Sequence, residues 1–341
     1  MKIVTTTGFY GTGSSAITDL LSEYENVMCK GDLEIRLAHD PYGISDLEYN
    51  LIENPNRHNS SHALKKFMKV VKRLHGYAFS HVYESYFNGK FNIYSQEYIK
   101  KLVQFEYFGK WHYDLIERGD TIYFISRSYN KVISILKKIC RIRNDVTHSL
   151  VPENEKAYAT ISDEQEFLNV TREYFDKLFL EINPENREFI MLDQLVPPSN
   201  IERYERYFSN LSAIIVDRDP RDLFLLEKCC WKGHTVPHYN VDKFCQWYVW
   251  TREQYERMPK GNSCKIQFED LIYRYEKTVK VIEEFLGLDA GAHTMKRKKL
   301  IPEVSRKNTR LWEQYRGYEK EIQIIEERLA KYCYDYSQIS G

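Results

Sequence analysis

The 341-residue sequence has no excess of either charge: Lys and Arg total 49, and Asp and Glu total 49. A zero balance argues against a protein that coats nucleic acid by global charge, so no nucleic-acid partner is expected. No run approaches the ~20 apolar residues of a membrane span, and no integral membrane segment is expected. The opening Met1–Thr6 is too poor in apolar residues for a signal peptide, with Gly8 close behind. The expected location is therefore cytoplasmic. The seven cysteines are odd in number, irregularly spaced and without a Cys-x-x-Cys, which argues against a disulfide framework or a zinc site. They read as buried free thiols, and no metal is expected. There is no internal repeat, no low-complexity tract and no Pro/Gly/Ser-rich linker to mark a domain boundary.

What is present suffices to bury a core, since 43% of residues are hydrophobic and 29% charged. The 27 tyrosines either stack on sugars or fill core and surface. The chain opens with a strand, Lys2 to Thr6, a Gly-rich turn, Gly8 to Gly13, and a helix from about Ser14 to Tyr24 with Ala16, Ile17, Leu20 and Leu21 at helical spacing. A short strand is expected near Asn26 to Cys29. From about 60 to 185 the pattern is mainly helical. One helix is capped by Ser60 or Ser61 and carries Leu64, Phe67, Val70, Val71 and Leu74. Another carries Val132, Ile133, Ile135, Leu136, Ile139 and Ile142, with Lys137, Lys138, Arg141 and Arg143 elsewhere on it.

The short apolar runs Phe189–Leu192 and Ala213–Val216 fit central parallel strands. A helix from about Glu276 to Leu286 stops at Gly287, and a last amphipathic helix covers Tyr318 to Tyr332. Together these predict an α/β fold: a doubly wound parallel sheet in one domain over residues 1–341, with a large helical insertion at about 60–185.

The most informative segment is Gly8-Phe9-Tyr10-Gly11-Thr12-Gly13-Ser14-Ser15. A strand leads in and a helix leads out. Glycines let successive N–H groups converge on one concavity, and the helix adds its positive end. The spacing matches Gly-x-x-x-x-Gly-Lys-Ser/Thr, except that Ser14 replaces the lysine that reaches the β- and γ-phosphates of a nucleoside triphosphate. A P-loop-like site for a single phosphate is expected.

In this loop the chain resembles the sulfotransferases that use 3′-phosphoadenosine 5′-phosphosulfate (PAPS). The likeness extends to Ile214-Ile215-Val216-Asp217-Arg218-Asp219-Pro220-Arg221-Asp222, to Phe268-Glu269-Asp270-Leu271 with Phe285-Leu286-Gly287-Leu288, and to Ser305-Arg306-Lys307-Asn308-Thr309-Arg310-Leu311-Trp312. The motifs occur in the family's order, on the first thirty or so residues and the part beyond 186.

The resemblance implies PAPS as co-substrate without a metal. Tyr10, Gly11, Thr12, Gly13, Ser14 and Ser15 would hold its phosphosulfate, and Arg218, Arg306, Lys307 and Asn308 its 3′-phosphate. From the residues alone, Arg218 either grips a phosphate bidentately or joins Asp217, Asp219 and Asp222 in a salt-bridge cluster. Phe268–Leu271 reads as structural. Three positions depart from the family: Gly11 stands where a lysine is frequent, Leu226 where a serine binds the 3′-phosphate, and Ala16 where an aromatic packs on adenine. Lys30, Arg36 and Arg57 are the cations that could replace the lysine.

Transfer to an acceptor hydroxyl or amine needs a base within hydrogen-bond reach. Glu34, His39 and Asp193 are the candidates, with Glu34 alternatively a surface acid paired with Arg36. The insertion is expected to wall the acceptor site, with Tyr83, Tyr86, Phe87, Tyr107, Phe108, Trp111 and Tyr113 either stacking on sugar or filling core. The basic helix either draws an acidic glycan or a membrane surface, or is a solvated face. The leading expectation is a sulfotransferase acting on a carbohydrate or small-molecule acceptor. The alternatives are an ATP–Mg²⁺ kinase, with Asp193 ending a Walker-B-like strand, and a non-catalytic nucleotide-binding module.

Overall fold

Strand pairing follows the β-branched runs. In a computed structural model, which describes residues 1–76, 82–109, 113, 116–141, 156–233 and 235–339, five strands form one parallel sheet in the order β2-β5-β1-β6-β7. They are β1 (Lys2–Gly8), β2 (Val27–Glu34), β5 (Phe189–Asp193), β6 (Leu211–Asp217) and β7 (Ser263–Gln267).

Both faces are covered, as two-sided apolar strands require. Ile3, Ile190, Leu192, Ala213 and Ile215 point to one core, shared with the helices Arg57–His75, Phe91–Leu102 and Glu164–Ile182. Val4, Phe189, Met191, Ile214 and Val216 point to the other, shared with the helices Ser14–Leu21, Phe268–Tyr273 and Tyr275–Leu286. The expected doubly wound parallel sheet is thus present, and the helices of the insertion share a core with one of its faces.

Several local expectations change. β2 runs on to Glu34, so that residue ends the strand rather than following it. The helix expected to start at Ser60 begins at Arg57. Its cap is Asn56, whose side chain accepts from the N–H groups of His58 and Asn59, while Ser60 and Ser61 are buried inside it. The insertion also contains an antiparallel pair, β3 (Val103–Phe108) with β4 (Lys156–Thr160), which sequence reading missed. β3 is mostly exposed; its apolar–polar alternation over Val103, Gln104, Phe105, Glu106 and Tyr107 was a strand signal overlooked inside the helical block. Gly287 closes its helix in the left-handed conformation, as expected. Of the residues assigned to the basic helix, Ile142 and Arg143 lie outside the described residues. All seven cysteines are free thiols; two of them, Cys140 and Cys230, are exposed, contrary to a uniformly buried set. No helix among the described residues is long and apolar enough to cross a membrane.

Candidate active site

The carboxyl ends of parallel strands are where open α/β sheets bind ligands. Here the register brings Thr6 of β1 opposite Asp193 of β5, Glu34 of β2 opposite the same Asp193, and Gly8 opposite Val216 of β6. Residues far apart in sequence therefore share one edge, with the front loop at its centre.

The loop turns through three positive-φ backbone states, two of them adjacent. Tyr10, Gly11 and Gly13 have φ of 64°, 68° and 99°. Gly11 must remain without a side chain for two reasons: its φ lies in the left-handed region, and a Cβ there would sit 2.8 Å from Leu223 Cδ1. Both features disfavour here the lysine frequent in the family at this position. The buried Thr12 hydroxyl accepts from the N–H of Phe9 (3.2 Å), closing the turn on itself. It therefore holds the loop in shape. No side chain caps the helix that begins at Ser14, so its first N–H groups and the Ser14 and Ser15 hydroxyls form the positive rim of the loop.

Arg218 lies just beyond β6 and is 3% exposed. Its Nη1 donates to the carbonyl of Gly11 at 3.4 Å and its Nη2 to the carbonyl of Asn308. The guanidinium stacks on Phe268, 4.6 Å from the ring centroid, and the same ring packs against Gly13. Its Nε is buried without a hydrogen-bond partner.

The salt-bridge cluster considered from sequence does not form, because each neighbouring acid has another partner. Asp217 pairs with Arg252 (2.7 Å) and Lys265 (2.8 Å). Asp219 pairs with Arg221 (2.6 Å). Asp222 accepts from the N–H groups of Arg310 and Leu311 at 3.1 and 2.7 Å. Among the described residues, Arg218 has no ion pair. It is a desolvated cation satisfied by two dipoles and an aromatic face, which is expensive without an anion.

Two carboxyls, Asp222 and Glu269, lie in its field. Burial, then the Asp219 charge, pushes Asp222 up to about 7, against the pull of Arg218. Burial and the charges of Asp219 and Asp222 raise Glu269 well above the carboxylate range. Glu269 accepts from the Asp219 N–H (3.0 Å), a supporting role consistent with the structural reading of Phe268–Leu271.

Arg306, Lys307 and Asn308 form a 3-10 turn. Arg306 and Lys307 are exposed and line a cleft of about 470 Å³ with Tyr273, Arg310 and Gln314 and with the acids Glu303 and Glu313. Arg218 grips this turn from behind through the Asn308 carbonyl.

The three base candidates converge on the β2–β5 side. Asp193 is 8% exposed and accepts from the Thr6 hydroxyl at 2.6 Å. Burial pushes its carboxyl up to about 6, with the Thr6 bond pulling down and the Glu34 charge pushing further up. His39 Nε2 lies 3.0 Å from the Gln194 carbonyl. A carbonyl only accepts, so Nε2 carries the proton and Nδ1 keeps the lone pair. Burial holds this imidazole below its ordinary value, opposed by that carbonyl and assisted by Arg36. The Glu34 side chain is exposed, and its own carbonyl accepts from the Tyr83 hydroxyl at 2.8 Å. Arg36 pairs with Asp40 (3.0 Å), not with Glu34.

Of the cations weighed as replacements for the loop lysine, Arg36 lies in the field of Tyr10 of the loop: burial pulls its pKa down, and Asp40 and then Tyr10 raise it. Arg57 lies over Tyr107, lining a different cavity of about 490 Å³ with Phe105 and Tyr158. Lys30 lies on β2. The aromatics proposed as a sugar platform divide. Tyr83 and Phe87 are buried in the core and offer no face to a sugar. Tyr86 packs against that core. Tyr107 lines the second cavity, and Phe108 and Tyr113 are exposed. Trp111 lies outside the described residues.

Sequence reading missed Arg252 and Lys265, which hold Asp217. It also missed Tyr248, whose hydroxyl donates to the Arg218 carbonyl at 2.7 Å. None sits in a motif; only the fold brings them to Asp217 and Arg218.

No protein-family model and no curated protein matches the chain. Among solved structures it is similar to a sulfotransferase domain of the Synechococcus PCC 7002 olefin synthase (10% identity, 98% of this chain and 94% of that one, TM-score 0.39). It is also similar to a sulfotransferase domain of the curacin biosynthetic pathway (14% identity, 96% and 97%, TM-score 0.37). A third likeness is to the sulfotransferase STF1 of Mycobacterium tuberculosis H37Rv (13% identity, 91% and 76%, TM-score 0.33). At scores this low a likeness carries no argument about chemistry, which has to come from the residues themselves.

Proposed function

We propose that the chain is a sulfotransferase that takes a sulfuryl group from PAPS and passes it to a hydroxyl or amine of a carbohydrate or small-molecule acceptor. The observation that carries this reading is Arg218: a buried guanidinium with no ion pair and an orphaned Nε, placed between the front loop and the Arg306–Asn308 turn. An anion is the missing partner of such a group.

The residues fit the nucleotide's two charged ends. Ser14, Ser15 and the N–H groups of the front loop would take the 5′-phosphosulfate. Arg218, with Arg306 and Lys307 at the cleft, would take the 3′-phosphate. Thr12 and Gly13 keep the loop in shape, and Tyr10 presents Arg36.

When bound, the nucleotide supplies an electrophilic sulfur on a phosphate leaving group. Asp193 sits beside the front loop with a carboxyl ionised above pH about 6, basic enough to accept the acceptor's hydroxyl proton as its oxygen bonds to sulfur. The sulfur–phosphate oxygen bond breaks in the same exchange. Arg36 is the cation placed to offset charge at the loop, standing in for the lysine that Gly11 replaces. His39 Nδ1 and Glu34 complete a polar wall for the acceptor.

Calorimetric titration tests this reading with adenosine 3′,5′-bisphosphate and, separately, with ATP and Mg²⁺. Binding of the bisphosphate, lost in Arg218→Ala, supports it. Binding of ATP–Mg²⁺ alone overturns it and makes Asp193 a metal ligand of a kinase. Tight bisphosphate binding with no turnover on any acceptor would indicate a non-catalytic module.

A further inference from the structure

Trp231 is a large apolar side chain left 55% exposed, and it stands against the front loop. It ends a π-helical turn, Leu226–Trp231, in which the Lys232 N–H donates to the Glu227 carbonyl at 2.7 Å. Turns of this kind are rare and recur at functional sites. This one brings two side chains to one place. A Cβ built on Gly11 would lie 3.1 Å from Trp231 Cζ3 and 3.7 Å from Glu227 Oε1. The indole and the carboxylate therefore meet at the crest of the loop. Tyr10, the residue before Gly11, is 50% exposed and holds a φ of 64°, a conformation that bulky residues keep only under constraint. Two exposed aromatic residues thus border the glycine.

We infer that Trp231 and Glu227 form the acceptor subsite, and that the acceptor is a sugar ring seated on the indole. The inference rests on the sulfotransferase reading, in which the sulfuryl group sits at this loop. That reaction sets the occupant, because an acceptor has to bring its oxygen within reach of the sulfur. Tyr83 and Phe87 of the insertion cannot supply the platform, since both are core residues.

The pair discriminates among acceptor classes. An indole offers a broad apolar face, which suits the C–H face of a pyranose or an aryl ring. A carboxylate only accepts hydrogen bonds, at about four lone-pair sites. It favours a ligand with several hydroxyl groups beside its apolar face, whereas a phenol has one, and that one is the group to be sulfated. An alkylamine would be drawn to Glu227, but a neighbouring carboxylate holds such a nitrogen as its ammonium ion. An ammonium has no lone pair with which to attack sulfur. A pyranose gives its C–H face to Trp231, one hydroxyl to Glu227 and another to the sulfur. Glu227 is 3% exposed, so it reaches only a hydroxyl that lies against the indole. It selects and orients the acceptor, and Asp193 keeps the role of base.

Saturation-transfer NMR on the full chain with adenosine 3′,5′-bisphosphate bound tests the inference. The probes are methyl β-glucopyranoside, methyl β-galactopyranoside, phenol and hexylamine, each at millimolar concentration. Transfer is expected to the ring C–H protons of a glycoside and to neither phenol nor hexylamine. Trp231→Ala should weaken glycoside binding about tenfold, the loss of an aromatic contact. Glu227→Gln should weaken it about fivefold, as a charged acceptor becomes a neutral one. Trp250→Ala, which removes another exposed indole on the helix Val241–Arg257, should leave the signal intact. Calorimetry should show the bisphosphate bound as tightly by Trp231→Ala as by wild type.

Glycoside transfer that survives Trp231→Ala overturns the subsite. Transfer to phenol or hexylamine that equals or exceeds that to the glycosides overturns the sugar class. Bisphosphate binding with no transfer to any probe overturns the inference and leaves the sulfotransferase reading standing. Loss of the bisphosphate in Trp231→Ala makes the indole a brace of the loop and overturns its role as platform. Absence of bisphosphate binding in wild type overturns the sulfotransferase reading, and this inference with it.

Discussion

The guanidinium of Arg218 donates to the carbonyl of Gly11 and to that of Asn308, residues 207 and 90 positions away in sequence. One buried cation thus fixes the distance between the front loop and the basic turn. Whatever anion enters between them competes for donors that are already oriented.

Arg218→Ala should weaken binding of adenosine 3′,5′-bisphosphate about 100-fold, the loss of two hydrogen bonds to a charged group. Arg218→Lys keeps the charge but not the fork, and should recover only part of that affinity. Calorimetry on the three proteins checks the order.

Asp217 is held by two cations of unequal burial: the Arg252 side chain is 1% exposed and that of Lys265 27%. Arg252→Met leaves a buried carboxylate short of its main partner and should cost about 3–5 kcal/mol in urea unfolding. Lys265→Met should cost clearly less, because water reaches that side of the pair.

Asp193 supplies a pH dependence. Its carboxyl keeps its proton to about pH 6 in the fold but loses it near 3.8 when unfolded. Between these values the native state binds more protons. Its contribution is full below the lower value and falls away as pH rises through the upper one, about 3 kcal/mol in all. Asp193→Asn should lack this slope, so its urea midpoint should gain on wild type across the window. If Asp193 is the base, activity rises through pH about 6 in wild type. Thr6→Val, which removes a bond favouring the ionised form, should move that inflection upward.

Gly11→Ala should lower stability by about 1–3 kcal/mol, from the left-handed backbone and the contact with Leu223. Gly11→Lys, which restores the residue frequent in sulfotransferases, should give no gain in turnover. A faster Gly11→Lys enzyme would contradict the placement of Arg36 as the loop's cation.

The parallel sheet was legible because Phe189–Leu192 and Ala213–Val216 are apolar on both faces, a pattern that few folds other than a covered parallel sheet accept. The front loop was legible because a ligand-cradling turn needs glycine and hydroxyl residues at fixed spacing. The fate of Arg218 was not. Its flanking acids suggested ion pairs, and only the positions of Arg252, Lys265 and Arg221 show that those acids are taken. The cap at Asn56 was missed because two serines further on satisfy the same local rule. The choice between sugar platform and core for Tyr83 and Phe87 was not legible, because an aromatic in a helical block reads the same whether it faces a ligand or the core; both lie in the core.

The strand order has one more consequence. β2 pairs with β5 and not with β1, although β1 and β2 are made first. During synthesis the two opening strands cannot join directly; a gap one strand wide must stay between them until Phe189–Asp193 arrives to fill it. Glu34 waits through the whole helical insertion for the residue opposite it. A ribosome-bound chain stopped before that point would carry a fully written front loop on an open sheet edge, and is the species most in need of a chaperone.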